Sequence, residues 1–334
     1  MEERKWPGPK GMIPEPDRNA ADANMHNRRY LDELLVEMRI IDAFEPDLTL
    51  NLFNETFASP IMMPAFSHLN KVGITGRTPM QEYAAAAKEM NLVNWVGMEP
   101  DEEYVSIAAE GARTVRIIKP FMDHDEIFKQ IAFAKKQNAI AVGVDIDHVF
   151  GKNGKYDIVD GIPLGPVTQD DLKAYVNAAG DTPFIAKGVL SVQDALKCEQ
   201  AGCAGIFVSH HHGRLPFGIP PVMALQEIRK AMPETSMKIF ADCSIESGYD
   251  AFKALALGAD AVSVGRGILP GLLKEGKEGV IKKVNRMNEE LSELMGYTGI
   301  KDLSSMDSSV IVHHGKHLLN RQEAPIHSQR LGRG

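Results

Sequence analysis

Between Thr182 and Arg266, four short apolar runs alternate with helical patterns, and each run ends on chemically active residues. Pro183-Phe184-Ile185-Ala186 leads into Lys187-Gly188, and Gly205-Ile206-Phe207-Val208 leads into Ser209-His210-His211-His212-Gly213-Arg214. Lys238-Ile239-Phe240-Ala241 leads into Asp242, and Ala261-Val262-Ser263-Val264 leads into Gly265-Arg266. Runs of this length, rich in β-branched and aromatic residues, read as strands, while segments 192–198 and 249–255 have helical spacing. Parallel neighbours need a long crossover, so strands alternating with helices predict βαβ units and a parallel sheet. Polar groups at the C-terminal end of every strand are where a (β/α)8 barrel carries its active site.

The rest of the chain continues the alternation. Predicted strands begin near residues 60, 92, 114, 139, 183, 205, 238 and 261. Helices are expected at 24–36, 79–90, 123–137, 169–179 and 281–295, the second capped by Thr78 with Pro79 in its first turn. Eight such units are the barrel count, so residues 1–334 are read as one α/β (TIM) barrel domain; a doubly wound open sheet has the same periodicity. Residues 1–23, with Pro7, Pro9, Pro14 and Pro16, read as an irregular N-terminal arm, and a polar tail containing His313 and His314 closes the chain. Residues 148–167 lose all periodicity and carry Gly151, Gly154, Gly161 and Gly165, the pattern of a mobile lid over the catalytic face.

A formal charge of −8 with no basic block argues against nucleic acid or an anionic membrane as partner. The three cysteines have no metal-ligand spacing and form no disulfide framework, which fits free thiols in a cytoplasmic protein. No apolar signal core or membrane-length apolar run is present. A small-molecule substrate remains the expected partner.

The strand ends offer a cation at Lys187, a cluster of three histidines with Arg214, a carboxylate at Asp242, and a Gly265-Arg266 step. Backbone N–H groups and a guanidinium at such a step suit a phosphate, and the loops after the last two strands are a frequent phosphate site in these barrels. Lys187 suits a Schiff base or a cation beside an anionic cofactor. Successive strand side chains alternate, so the three histidines cannot all face one site, and no Cys or Asp is spaced to complete a zinc site with them.

Taken together and in order, Ala186-Lys187-Gly188-Val189, Ile206 to Arg214, Phe240-Ala241-Asp242, Phe252 to Ala259 and Val264-Gly265-Arg266 resemble the FMN-dependent α-hydroxy acid oxidase and dehydrogenase family. Pro60-Ile61-Met62-Met63-Pro64-Ala65 resembles its first strand. The likeness is close from 183 to 310 and looser but colinear from 27 to 147. The resemblance implies FMN and transfer of a hydride from a small hydroxy acid to flavin N5. It implies His211 as general base, Asp145 as the carboxylate supporting it, and Arg214 as the fork for the substrate carboxylate. Lys187 would stabilise negative charge on the reduced flavin, Asp242 would lie near the ribityl chain, and Pro64 and Ala65 would run along the ring. Gly97, Arg116, Ser209 and Ser244 fall on further cofactor positions, with Gly265 and Arg266 at the phosphate. A homotetramer is the assembly the resemblance implies.

The departures lie in the substrate grip and at the phosphate. His210-His211-His212 stands where the family reads Asn-His-Gly, giving His212 a place in the substrate pocket. Cys243, Ser244 and Glu246 replace two glycines and an arginine; Arg116 replaces a glutamine, and Ile118 a substrate tyrosine. These changes keep two other readings open: an FMN enzyme of the same scaffold acting on an amine or cyclic alcohol, or as a reductase or isomerase; and a flavin-free phosphate-ligand barrel.

Overall fold

Eight parallel strands form one sheet: β1 (Ile61–Met62), β2 (Asn94–Val96), β3 (Thr114–Ile118), β4 (Ala141–Asp145), β5 (Phe184–Val189), β6 (Gly205–Val208), β7 (Lys238–Ala241) and β8 (Ala261–Ser263). The computed structural model describes residues 19–67, 69, 76–151 and 153–314. Strands β2 to β8 pair with one another in chain order, and β1 pairs with β8. The β1–β2 seam has no full ladder, since Pro64 lacks an N–H and β1 stops after two residues. It is bridged by Met63 N–H to Val93 O (3.0 Å), Gly97 N–H to Phe66 O (2.8 Å) and a parallel bridge between Phe66 and Val96. The sheet is therefore a TIM barrel and not an open doubly wound sheet.

Helices Pro79–Glu89, Asp101–Ala108, His124–Lys136, Gln169–Ala179, Val192–Gln200, Pro221–Ala231 and Gly248–Ala256 fill the seven crossovers. Helix Asp101–Ala108, absent from the expectation above, begins after Pro100 with three acidic residues in its first turn, which suit the positive end of a helix dipole. After β8, a 3-10 turn Gly265–Ile268 and helix Leu269–Glu275 lead into the long helix Lys277–Thr298.

Alternation along the strands sends Met62, Trp95, Val115, Ile117, Ala141, Ile185, Phe207, Phe240 and Ala261 into one interior cluster. Trp95 meets Phe207 and Phe240 edge-on at 5.1 and 5.5 Å between centroids. Leu50, Leu52 and Phe57, from the hairpin Leu50–Leu52/Glu55–Phe57, join the same cluster. The intervening strand residues join a larger cluster with the helices.

Three segments differ from their sequence reading. The first helix is Ala23–Glu33, capped by Asp22, and Leu34–Val36 is a strand paired antiparallel with Ile311–His313, so long-range pairing overrides local helical spacing. That pairing also gives structure to part of the expected tail; residues 1–18 of the arm and 315–334 lie outside the described residues. Segment 148–167 contains a hairpin, Ile158–Val159 against Ile162–Pro163, turned by Asp160-Gly161 with both φ values positive (51° and 81°). Among the described residues, no helix is long and apolar enough to cross a membrane.

Candidate active site

The interior alternation continues past the last ladder residues and brings charge to the catalytic rim. Val115 and Ile117 face inward on β3, so Lys119, two residues on, does too; Ala141 sets the same phase for Asp145, and Ile185 for Lys187. All three charged residues are buried, at 5%, 3% and 5% exposure, too dry for an uncompensated charge. They compensate one another: Lys119 Nζ lies 2.6 Å from Asp145 Oδ2 and Lys187 Nζ 3.1 Å from Asp145 Oδ1. Burial opposes the charge on Asp145, but Lys119, Lys187 and His211 outweigh it and hold the carboxyl well below its usual range. Burial likewise opposes the charge on Lys187, and Asp145, Asp242 and Asp147 raise its pKa in spite of that.

His211 approaches this triad from the β6 end. Its Nδ1 is 3.2 Å from Asp147 Oδ1 and 3.8 Å from Asp145 Oδ1. The nearer carboxylate is thus Asp147, and Asp145 is engaged chiefly by the two lysines. A carboxylate accepting from Nδ1–H leaves the lone pair on Nε2. The His148 ring stands edge-on to His211, with centroids 5.6 Å apart.

The three histidines diverge because they do not lie on a strand. β6 ends at Val208, and His211, His212 and Gly213 take left-handed φ values of 52°, 58° and 87°, so strand alternation does not apply to them. Ser209 Oγ accepts from His211 N–H (3.0 Å) and pins the turn. Gly213 N–H donates to His210 Nδ1 (2.8 Å), which puts the His210 proton on Nε2, from where it reaches Asn27 Oδ1 (3.0 Å). His210 is therefore a tie to the first helix. His212 is depressed to about 2 by burial, aided by Arg266, His210 and His211, and stays neutral.

Arg214 donates to Phe150 O (3.2 Å) and lies 3.8 Å from Asp157 Oδ2, which is also 2.9 Å from His148 Nε2. Segment 148–167 is thus fastened to the candidate substrate arginine. Arg116, expected toward the cofactor, is on the opposite face of β3: it donates to Gly97 O (2.8 Å) and Glu99 O (2.6 Å), with its guanidinium 4.6 Å from the Tyr104 ring centroid. Lys119 takes the inward place beside Asp145. Ile118 shares the outward phase of Arg116 and packs in the outer cluster.

Pro64, Ala65 and Gly97 come together at the β1–β2 seam, where a Cβ on Gly97 would lie 2.2 Å from Ser67 Oγ. On the far side, Cys243 and Ser244 adopt φ of 68° and 63°, the backbone that a glycine pair takes without strain. Cys243 Sγ–H donates to Asp242 (2.9 Å). Gly265 has φ of 54°, a Cβ there would meet nothing within 4 Å, and it opens the 3-10 turn, whose first N–H groups have no partner within the turn. The 243–246 and 265–267 loops meet, since a Cβ on Gly267 would lie 3.8 Å from Glu246 Cα. Left-handed backbone on one loop, an open helical start on the other, and the Arg266 guanidinium, which burial brings down to about 10, form a donor set that fits a phosphate monoester. The residues present therefore suit the phosphate end of FMN.

Asp145, Asp147 and His211 also have ligand atoms within 4.8 Å of one another, as a metal site requires. Two ammonium groups already neutralise Asp145, so a dication there would meet positive charge on one side.

A phosphate cradle, a buried lysine and an imidazole–carboxylate pair on the catalytic face of a TIM barrel define a flavin-type barrel enzyme. Comparison with known proteins makes this specific. Residues 166–313 match the model of the FMN-dependent dehydrogenase family. Glycolate oxidase of Spinacia oleracea is 28% identical, over 85% of this chain and 86% of that protein. L-lactate oxidase of Lentilactobacillus hilgardii is 26% identical, over 86% of this chain and 85% of that one. A structure of a mandelate oxidase Y128F variant with (S)-mandelic acid superposes with a TM-score of 0.76 at 25% identity, covering 88% of this chain and 90% of that one. The chain is thus similar to the FMN-dependent α-hydroxy acid oxidases and dehydrogenases, with the family model matched over residues 166–313.

Proposed function

We propose that the protein oxidises a small 2-hydroxy acid, with His211 as the base that receives the hydroxyl proton at Nε2. The observation that carries this reading is the His211–Asp147 pair beside the buried Lys187, in a chain similar to this family. FMN, when bound, supplies the hydride acceptor at its N5 position.

Asp147 fixes the His211 tautomer and stabilises the imidazolium formed on proton transfer. Lys187 places a fixed cation on the cofactor side, held rigid by Asp145, so no reorganisation is needed when negative charge develops nearby. Arg214 presents a guanidinium to the substrate carboxylate once Asp157 gives way. His212, neutral and half-buried, shapes the pocket wall. Segment 148–167 closes over this side and excludes water, with Phe150 and Tyr156 packed together at 5.6 Å.

The free thiols fit a reducing, cytoplasmic setting. Exposed Phe150, Tyr156, Leu215 and Phe217 near the rim supply apolar surface for a homotetramer, which sedimentation would test.

The test of the reaction is anaerobic mixing of the flavin-loaded protein with a panel of 2-hydroxy acids. Bleaching of the blue absorbance by at least one 2-hydroxy acid is expected. A flavin that amines or cyclic alcohols bleach and hydroxy acids do not overturns the substrate class.

A further inference from the structure

A phosphate monoester carries about −1.5 to −2 charge at neutral pH, more than one guanidinium neutralises. On the loops that cradle it, the remaining charged side chain is Glu246, an anion. A second cation comes from outside those loops. Lys283, on the long helix Lys277–Thr298, reaches across to donate from Nζ to Glu246 O (2.6 Å). Its Cε would lie 3.6 Å from a Cβ on Gly267, at the step that follows Gly265-Arg266. Val280, Val284 and Met287 of the same helix are buried, so the stem that carries Lys283 is anchored. An ammonium has three donors; one is engaged on Glu246 O, and among the described residues Lys283 has no carboxylate partner. A cation held against a phosphate loop by one backbone bond, with two donors remaining, has the form of an anion contact.

We propose that Lys283 is a phosphate-binding residue for FMN, supplying from the C-terminal helix the second positive charge that the 243–246 loop lacks. The proposal rests on the FMN reading above. The 3.6 Å approach of Lys283 Cε to a Cβ at Gly267 is ordinary van der Waals contact and places the lysine stem directly against the turn.

The test uses flavin-free protein titrated with FMN and, separately, with riboflavin, which has the same ring and ribityl chain but no phosphate; quenching of flavin fluorescence reports both. Lys283→Met, which keeps the apolar stem, is expected to weaken FMN binding by about 10- to 100-fold, the scale of one charge-assisted hydrogen bond, and to leave riboflavin binding unchanged. Lys283→Arg is expected to retain FMN affinity, and the loss in Lys283→Met is expected to shrink at high salt. Unchanged FMN affinity in Lys283→Met, or an equal loss for FMN and riboflavin, overturns the assignment and makes Lys283 a packing residue. A wild-type protein that binds FMN no better than riboflavin overturns the phosphate cradle itself, and Lys283 with it.

Discussion

His211 Nδ1 and Asp147 Oδ1 lie 3.2 Å apart, and this contact depends on the missing side chain of Gly188. A Cβ at residue 188 would fall 2.3 Å from Asp147 Cγ, and its φ of 96° is one that few other residues adopt. The turn after Lys187 thus makes room for the carboxylate that holds His211. His211→Ala is expected to slow flavin reduction by roughly 10² to 10⁴ with FMN retained. Asp147→Asn, which removes an orienting charge and not the base, is expected to cost about 10- to 100-fold. Stopped-flow reduction at saturating substrate measures both; an unchanged rate in His211→Ala would show that another base is at work.

Asp145 is expected to matter for stability before it matters for the proton. Replacing it by Asn leaves Lys119 and Lys187 buried with no counter-charge between them, a change on the order of 3–5 kcal/mol when one partner of a buried pair is removed. Lys119→Met in the Asp145→Asn background removes one of the stranded cations and should restore part of that loss. Urea unfolding of the flavin-free proteins, compared as a double-mutant cycle, checks the coupling. Additive losses would mean that the two charges do not depend on each other.

On the proposal that Arg214 takes the substrate carboxylate, Asp157 is its competitor. Its Oδ2 is 3.8 Å from the guanidinium and 2.9 Å from His148, so a carboxylate of the chain lies where an anionic substrate would be gripped. Asp157→Asn weakens that hold without shortening the loop. KM for a 2-hydroxy acid should fall by about two- to fivefold, the scale of a partly exposed ion pair, while the amide of the same acid is unaffected. Equal KM changes for acid and amide would assign the effect to loop mobility instead.

The barrel was legible in the sequence because its strands are short apolar runs that end on polar residues, a pattern set by burial on both faces. The positions of Lys187, Gly265-Arg266 and the histidine cluster at the catalytic ends of the strands were legible because each belongs to a recognisable motif at the end of an apolar run. Lys119 and Asp147 were not, since they belong to no motif. Extending the inward phase of Val115 and Ile117 by two residues reaches Lys119, and the same step from Asp145 reaches Asp147. The divergence of His210, His211 and His212 was hidden because left-handed backbone at two histidines has no signature in residue type. The Leu34–Val36 strand was hidden because its partner lies at Ile311–His313, beyond the reach of local spacing.

Three histidines give the fold an acid sensitivity of predictable sign. Burial, with Lys119 and Arg214 adding to it, lowers His148 to about 4. Burial with Arg266, His210 and His211 brings His212 to about 2, and burial lowers His210 as well. An unfolded histidine titrates near ~6.5, so below that pH the unfolded chain binds protons that the folded chain does not. Their stabilising contribution is therefore complete above about pH 6.5 and diminishes as pH falls, through pH 4 for His148 and lower for His212. The carboxylates, titrating near ~4 when unfolded, cannot produce a loss that begins so high. The urea midpoint of flavin-free protein should stay level from pH 8 to 7 and drop steadily from pH 6.5 to 5. His212→Gln, which cannot be protonated, should flatten part of that slope whatever it does to absolute stability. A midpoint that is constant down to pH 5 would mean that these rings are solvated enough to charge within the fold, and the dry pocket wall assigned to His212 would go with it.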